Sequence, residues 1–169
     1  MELHAHSHSH HWVRRTPDWR AAAVAGFAAG AILMVLELFW SAWGTGGSPW
    51  EISHMIAAIV AGPGSLGSPG FDLGVVALAL VTHYVLGIAF GLVLAAVMAP
   101  FRLDSSAGMA LTIGGAFGVL LYLVNFFVLA AWFPWFAEIR GAATLIAHLI
   151  FGMSAAFLYW KLERDDTAL

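Results

Sequence analysis

Two histidines lie in the middle of strongly apolar stretches, an unusual place for a side chain that can bind a metal or carry a proton. In "LVTHYVLGIAFG", His83 is followed at four-residue steps by Gly87 and Gly91, and in "LIAHLIFGMSAAF", His148 is followed by Gly152. Ionisable groups are costly in an apolar environment and are candidates for function. The pattern indicates two equivalent histidines, each beside a glycine that either permits close helix packing or leaves space for a bound group.

The apolar stretches around these histidines predict a membrane protein. The chain has 169 residues, of which 61% are hydrophobic and 10% are charged, whereas ordinary soluble domains are about 25% charged. A membrane span needs about 20 apolar residues, and inside lipid such a run must be helical. We therefore predict an all-α integral membrane protein, a four-helix transmembrane bundle. The predicted parts are an arm at 1–19, a transmembrane domain at 20–164 and a tail at 165–169, with spans at 20–43, 73–99, 106–132 and 141–160.

The basic residues predict the orientation of the bundle. Arg140 alone lies on the side of the first and third connections. Positively charged loops stay in the cytoplasm, so both termini are expected there, in a bacterial inner membrane. The other six of the seven basic residues are on the side of the termini: Arg14, Arg15, Arg20, Arg102, Lys161 and Arg164.

The chain also shows an internal repeat. Aligning "GAILMVLELFW" at 30–40 with "GVLLYLVNFFV" at 118–128 matches Gly30 with Gly118 and Glu37 with Asn125. Aligning the two histidine stretches matches His83 with His148. Two crossings return a chain to its starting side, so the alignment predicts two helix-pair repeats in parallel orientation.

The repeat predicts a polar layer to which each span contributes one residue. A helix rises about 1.5 Å per residue, which puts all four residues in the outer half of a hydrocarbon core about 30 Å thick. The members of this layer are Glu37, His83, Asn125 and His148.

Several functions fit such a layer. Without cysteine, the available metal ligands are histidine, carboxylate and methionine, which suit zinc, copper, iron or nickel. The favoured hypothesis is transition-metal binding or handling by His83, His148 and Glu37, with Asn125 in support. An alternative is electron transfer by a b-type haem, with the two histidines as axial ligands and Gly87 and Gly152 giving clearance. Three further alternatives are mutual hydrogen bonding that fixes the bundle, a proton or ion path through Glu37, and a non-catalytic accessory subunit of a larger membrane complex.

Two further groups of histidines lie outside the spans. A short helix is expected at 50–60, in the outer membrane interface or folded over the bundle. His54 on that helix falls opposite its large apolar face, so it is expected to face headgroups or water, or to support the layer from outside if the helix turns inward. The arm is histidine-rich and is predicted to buffer metal ions loosely through His4, His6, His8, His10 and His11.

Other functional classes find no support in the sequence. It contains no phosphate-binding loop, no HExxH and no serine nucleophile with a histidine base, so we do not expect an enzyme. The net charge of −3 offers no nucleic-acid surface. The expected partners are the lipid bilayer and, within it, other membrane subunits or further copies of the chain.

Two stretches resemble a known family. "VTHYVLGIAFGLVLA" and "IAHLIFGMSAAFLYWKLERDD" are similar to the second-helix and last-helix signatures of small YagU-like inner-membrane proteins. The resemblance covers about half of the chain. It implies an inner-membrane location and makes His83 and His148 family positions, while it implies no particular activity.

Overall fold

The computed structural model describes residues 15–44, 48–67 and 70–166, and the regular elements within these ranges are all helical. Four helices are long and apolar enough to cross a membrane, over Trp19–Trp43, Leu73–Met98, Ala107–Ala131 and Ala142–Glu163. Their bounds lie close to those predicted from the apolar runs. The elements are α1 (Trp19–Gly44), α2 (Glu51–Ala61), α3 (Leu73–Met98), α4 (Ala107–Leu123) and α5 (Ala142–Asp166), with short 3₁₀ turns at Pro63–Leu66, Leu129–Ala131 and Pro134–Ile139.

The third span does not remain α-helical to its end. After Leu123 the chain forms a wider π-helical turn over Val124–Val128, and a 3₁₀ turn follows. Such a change of pitch leaves backbone groups without their usual partners. The carbonyl of Phe126 accepts a hydrogen bond from Nε of Arg140 at 2.5 Å, which supplies a partner from outside the turn.

Glycine contacts join the helices in two pairs, α1 with α3 and α4 with α5. A Cβ atom added to Gly91 would come within 2.7 Å of the carbonyl oxygen of Ala22, and one added to Gly114 would collide with the carbonyl oxygen of Gly152. Helix backbones can approach this closely only where side chains are absent. The pairs then pack together around alanine and a few large residues, including Leu94, Phe151 and Tyr159.

An ionic cluster holds the bundle at the end where α1 begins and α5 ends, which we call the termini end. Arg15, just before α1, lies 3.3 Å from Asp104 in the α3–α4 connection and 2.9 Å from Glu163 on α5. Nearby, the backbone N–H of Asp18 donates to the hydroxyl of Tyr159 at 3.3 Å. Both carboxylates are almost fully buried. The cluster therefore ties three parts of the chain together at one point.

Helix α2 covers the opposite end of the bundle, which we call the α2 end. Nε1 of Trp135 donates to the carbonyl of Met55 at 3.1 Å and joins α2 to the α4–α5 connection. The residues that α2 buries most are His54, Met55, Ala57 and Ala58.

The expectation of an exposed His54 is wrong. The side chain is buried, with Nδ1 at 2.6 Å from the carbonyl oxygen of Ser65 and Nε2 at 2.9 Å from that of Gly70. The loop after α2 folds back over this side of the helix and supplies both carbonyl groups, which explains the burial of the histidine. His54 thus anchors the loop after α2.

Candidate functional site

The four polar residues predicted for one layer line a single cavity. This polar-layer cavity has a volume of about 200 Å³ and lies within the bundle near the α2 end. Apolar side chains from α1, α2 and α3 make up much of the remaining wall, among them Leu33, Met55 and Phe90. The residues of the layer in the lining are Glu37, His83, Asn125 and His148.

His148 is held by two hydrogen bonds in this wall. Its Nδ1 lies 2.9 Å from the carbonyl oxygen of Thr144, one turn earlier on α5, and its Nε2 lies 3.2 Å from the side-chain nitrogen of Asn125. A carbonyl can only accept, so Nδ1 donates; Nε2 is then the acceptor for the amide N–H of Asn125. The ring is neutral in this arrangement. Asn125 reaches it from the π-helical turn of the third span.

His83 makes a different contact. Its Nε2 donates to the carbonyl oxygen of Gly30 on α1 at 2.8 Å. A Cβ atom on Gly30 would lie 3.9 Å from the imidazole, an ordinary contact distance, so the ring lies directly against the backbone of α1. Nδ1 of the neutral ring remains as an acceptor.

Glu37 differs from the other three members of the layer. Within the described ranges, its carboxyl group makes no hydrogen bond and no ion pair. It also lines a second, larger cavity of about 420 Å³ between α1 and α5, which we call the lateral cavity. Ile52, Met55 and Ile139 are likewise shared by both linings. The carboxyl group therefore stands at the boundary between the two cavities.

Gly87 and Gly152 serve close packing. A Cβ atom on Gly87 would come within 2.9 Å of the carbonyl oxygen of Gly26, and one on Gly152 would lie 2.9 Å from Cα of Gly118. The space beside each glycine is filled by the backbone of the neighbouring helix. Neither residue leaves clearance for a macrocycle.

The residues of the layer do not fit a bound transition metal or a haem as they stand. In the ranges that the structure describes, no three histidine or carboxylate side chains are close enough to hold a metal ion together. The predicted ligand set of His83, His148 and Glu37 is thus not assembled in the described ranges. The polar-layer cavity of about 200 Å³ is also smaller than the roughly 300 Å³ at which small-molecule sites begin.

The remaining predicted histidines lie elsewhere. Both ring nitrogens of His54 are bonded to its own loop, and it is absent from the described linings of both cavities, so it does not support the layer. The predicted metal-buffering arm lies outside the described residues, and with it His4, His6, His8, His10 and His11.

Sequence reasoning missed the lateral cavity and its charged residues. Besides Glu37, the lining includes Glu51 from α2 and Glu138 and Arg140 from the α4–α5 connection. In the sequence, Arg140 is the isolated basic residue on the side of the first and third connections. That isolation could have identified it as a residue of a site. The two glutamates gave no signal, because each lies in a connection whose path the sequence does not fix.

Comparison with known proteins gives no relative for this fold or site. No family model matches the chain, and neither a curated protein nor a solved structure shows significant similarity to it. The resemblance to YagU-like proteins therefore stays an expectation from the sequence.

Proposed function

We propose that this chain is a membrane protein that binds a cation inside its helical bundle in exchange for a proton, with Glu37 as the exchanging group. The observation that carries the proposal is a carboxyl group in a membrane-spanning helix, without a partner in the described ranges, at the boundary of two cavities. A charged side chain costs up to about 2.5–3.5 kcal/mol on insertion scales, the value for the centre of a membrane helix. A proton neutralises the empty site, and an entering cation replaces that proton.

The rest of the layer supports such a site without competing for its charge. His148 is neutral in its hydrogen-bonded arrangement with Thr144 and Asn125, and His83 donates to the backbone of α1. These groups offer dipoles rather than a counter-ion. Glu37 is the member of the layer that needs a positive partner when it is ionised.

The predicted repeat and orientation belong to the same proposal. The contact of Gly26 with Gly87 has its counterpart in the contact of Gly114 with Gly152, at positions that the sequence alignment pairs. Gly30 likewise contacts His83, and its counterpart Gly118 contacts His148. These matched contacts support two parallel helix pairs. With the basic residues at the termini end, both termini are cytoplasmic in the inner membrane, α2 lies at the outer interface, and the cavities are reached from the outer half.

Proton release on cation binding tests the proposal. The intact protein in lipid nanodiscs, in a weakly buffered solution with a pH indicator dye, is titrated with the chlorides of sodium, potassium, magnesium, zinc and nickel and with small organic ammonium salts. At least one cation should release more protons from the wild type than from Glu37→Gln.

The histidine-rich arm also releases protons when it binds zinc or nickel, and Glu37→Gln corrects for this because it carries the same arm. Asp72→Asn is the matched control, since it removes an exposed carboxylate at the start of α3, outside the described linings of both cavities, and asparagine caps a helix as well as aspartate does. It should behave as the wild type. Equal proton release by the wild type and Glu37→Gln for every cation would contradict the proposal.

A further inference from the structure

The lateral cavity has the size and position of a binding site for a small amphipathic molecule. Its volume of about 420 Å³ lies within the range of about 300–1,000 Å³ that small-molecule sites occupy. Trp40 and Ile146 in its lining are 47% and 46% exposed on the surface of the bundle. These residues belong to helices that can span a membrane, so the cavity is open toward lipid.

Most of the wall of the lateral cavity is apolar. Leu36 and Trp40 of α1 face Ile146 and Ile150 of α5, and Ile52 of α2 closes the α2 end. A fully hydrated inorganic ion would gain little from such a wall. A molecule with an apolar body would instead bury that body there, at about 25 cal/mol for each Å² removed from water.

The charges of the lateral cavity favour a positive ligand. Three carboxylates, Glu37, Glu51 and Glu138, line it within the described residues, against the guanidinium of Arg140. That guanidinium donates from Nε to the carbonyl of Phe126 at 2.5 Å, and its central carbon lies 4.5 Å over the ring of Phe127. Both contacts direct the guanidinium of Arg140 toward the π-helical turn, so it does not neutralise Glu37.

We propose that the lateral cavity binds an organic cation with an aromatic or aliphatic body, whose ammonium group pairs with Glu37. This inference rests on the proposed function and names its substrate class. Trp40 lies one helical turn from Glu37 in the same lining, and an indole attracts a cation over its face. The ligand enters from the lipid side, because that is where Trp40 and Ile146 are exposed.

Benzyltrimethylammonium and its neutral carbon isostere, neopentylbenzene, test the inference. The two molecules share shape and apolar area and differ in the quaternary centre, which is nitrogen in one and carbon in the other. Binding of radiolabelled benzyltrimethylammonium to the intact protein in nanodiscs is measured for the wild type and for variants, with empty nanodiscs as the blank. The wild type should bind the cation saturably, release protons in proportion, and show at least tenfold weaker competition by neopentylbenzene.

The variants should form a graded series. Glu37→Gln should weaken binding of the cation at least tenfold, and Trp40→Leu several-fold because it keeps the apolar wall and removes the aromatic face. Asp72→Asn, which removes an exposed carboxylate outside the described linings of both cavities, should change binding less than twofold. Circular dichroism and thermal stability of each variant show that the bundle is folded. Equal binding of the neutral isostere, or unchanged binding by Glu37→Gln, would overturn the inference.

The same measurements separate this inference from the proposed function. If benzyltrimethylammonium does not bind while another cation still displaces the proton of Glu37, the substrate class is wrong and the proposed function stands. If no cation displaces that proton, both fail. If the cation binds without releasing a proton, and Glu37→Gln does not change its binding, the cavity is an apolar site alone. The inference and the proposed function then both fail.

Discussion

The two helix pairs of the bundle use the same contacts to pack and different contacts to satisfy their polar residues. Gly26 meets Gly87 between α1 and α3, and Gly114 meets Gly152 between α4 and α5. In each pair the histidine lies one turn before the second of these glycines. The packing that brings the helices together is thus matched at corresponding positions.

The polar side chains of the two pairs differ in their hydrogen bonds. In the second pair, Asn125 lies on a π-helical turn and its amide bonds to His148 at 3.2 Å. In the first pair, Glu37 lies in an uninterrupted α-helix and makes no bond within the described ranges, while His83 donates to the backbone of Gly30 instead. One pair therefore uses its polar residue for structure, and the other leaves a carboxyl group facing two cavities. The proposed cation exchange accordingly places the exchanging group in the first pair.

Substituting the contact glycines should produce the largest effect. Leucine at Gly152 or at Gly87 has no space, because the backbone of the facing helix lies where its Cβ would be. Overpacking costs about 1–3 kcal/mol when side chains can move, and a backbone obstacle should exceed that range. We expect both variants to lose most of their folded population in thermal denaturation in detergent.

Gly108→Leu is the matched control for these variants. Gly108 lies on α4, is exposed, and has nothing within 4 Å of an added Cβ, so its substitution should change stability little. If Gly152→Leu unfolds the protein while Gly87→Leu does not, the two pairs are not equivalent. The space beside Gly87 would then be adjustable, as a site for a larger bound group requires.

Removing the ionic cluster at the termini end should have an intermediate effect. Arg15→Ala removes the contacts of the guanidinium with the buried carboxylates of Asp104 and Glu163. Breaking a fully buried pair costs about 3–5 kcal/mol, but the Arg15 side chain is 42% exposed, so we expect about 1–2 kcal/mol. Chemical denaturation in mild detergent measures the change.

Cation-linked proton release should survive in Arg15→Ala, because the cluster lies at the end of the bundle opposite α2. Arg20→Ala, which removes an exposed arginine at the start of α1, should leave stability unchanged. A loss of proton release in Arg15→Ala at a temperature where the variant is folded would show instead that the two ends of the bundle are coupled.

The sequence predicted the parts of this structure that depend on composition and on helical rise. The four spans follow from apolar runs of sufficient length, and the convergence of Glu37, His83, Asn125 and His148 follows from their depth along those runs. The ionic contact of Arg15 with Asp104 could not be predicted, since it joins residues 89 positions apart in polar segments.

Two errors have identifiable physical causes. The expected exposure of His54 was wrong because the loop after α2 folds back over this side chain, while the large apolar residues Ile52, Met55, Ile56 and Ile59 do line the polar-layer cavity. The π-helical turn at Val124–Val128 was not predicted because neither glycine nor proline marks it. That turn decides which polar residue reaches a histidine, so the asymmetry between the pairs depends on tertiary structure.

The prediction with the smallest expected effect tests the asymmetry between the two helix pairs most specifically. A double-mutant cycle with Asn125→Ala and His148→Ala should give a coupling energy of about 0.6 kcal/mol, the average for a hydrogen bond between membrane helices. The same cycle with Glu37→Ala and His83→Ala should give a coupling near zero, because no bond joins these two side chains. Stability in each cycle is measured by the same denaturation assay. A coupling of equal size in both cycles would mean that His83 binds the carboxyl group of Glu37, as His148 binds the amide of Asn125. A carboxyl group bound in that way could not serve as the free partner of a cation.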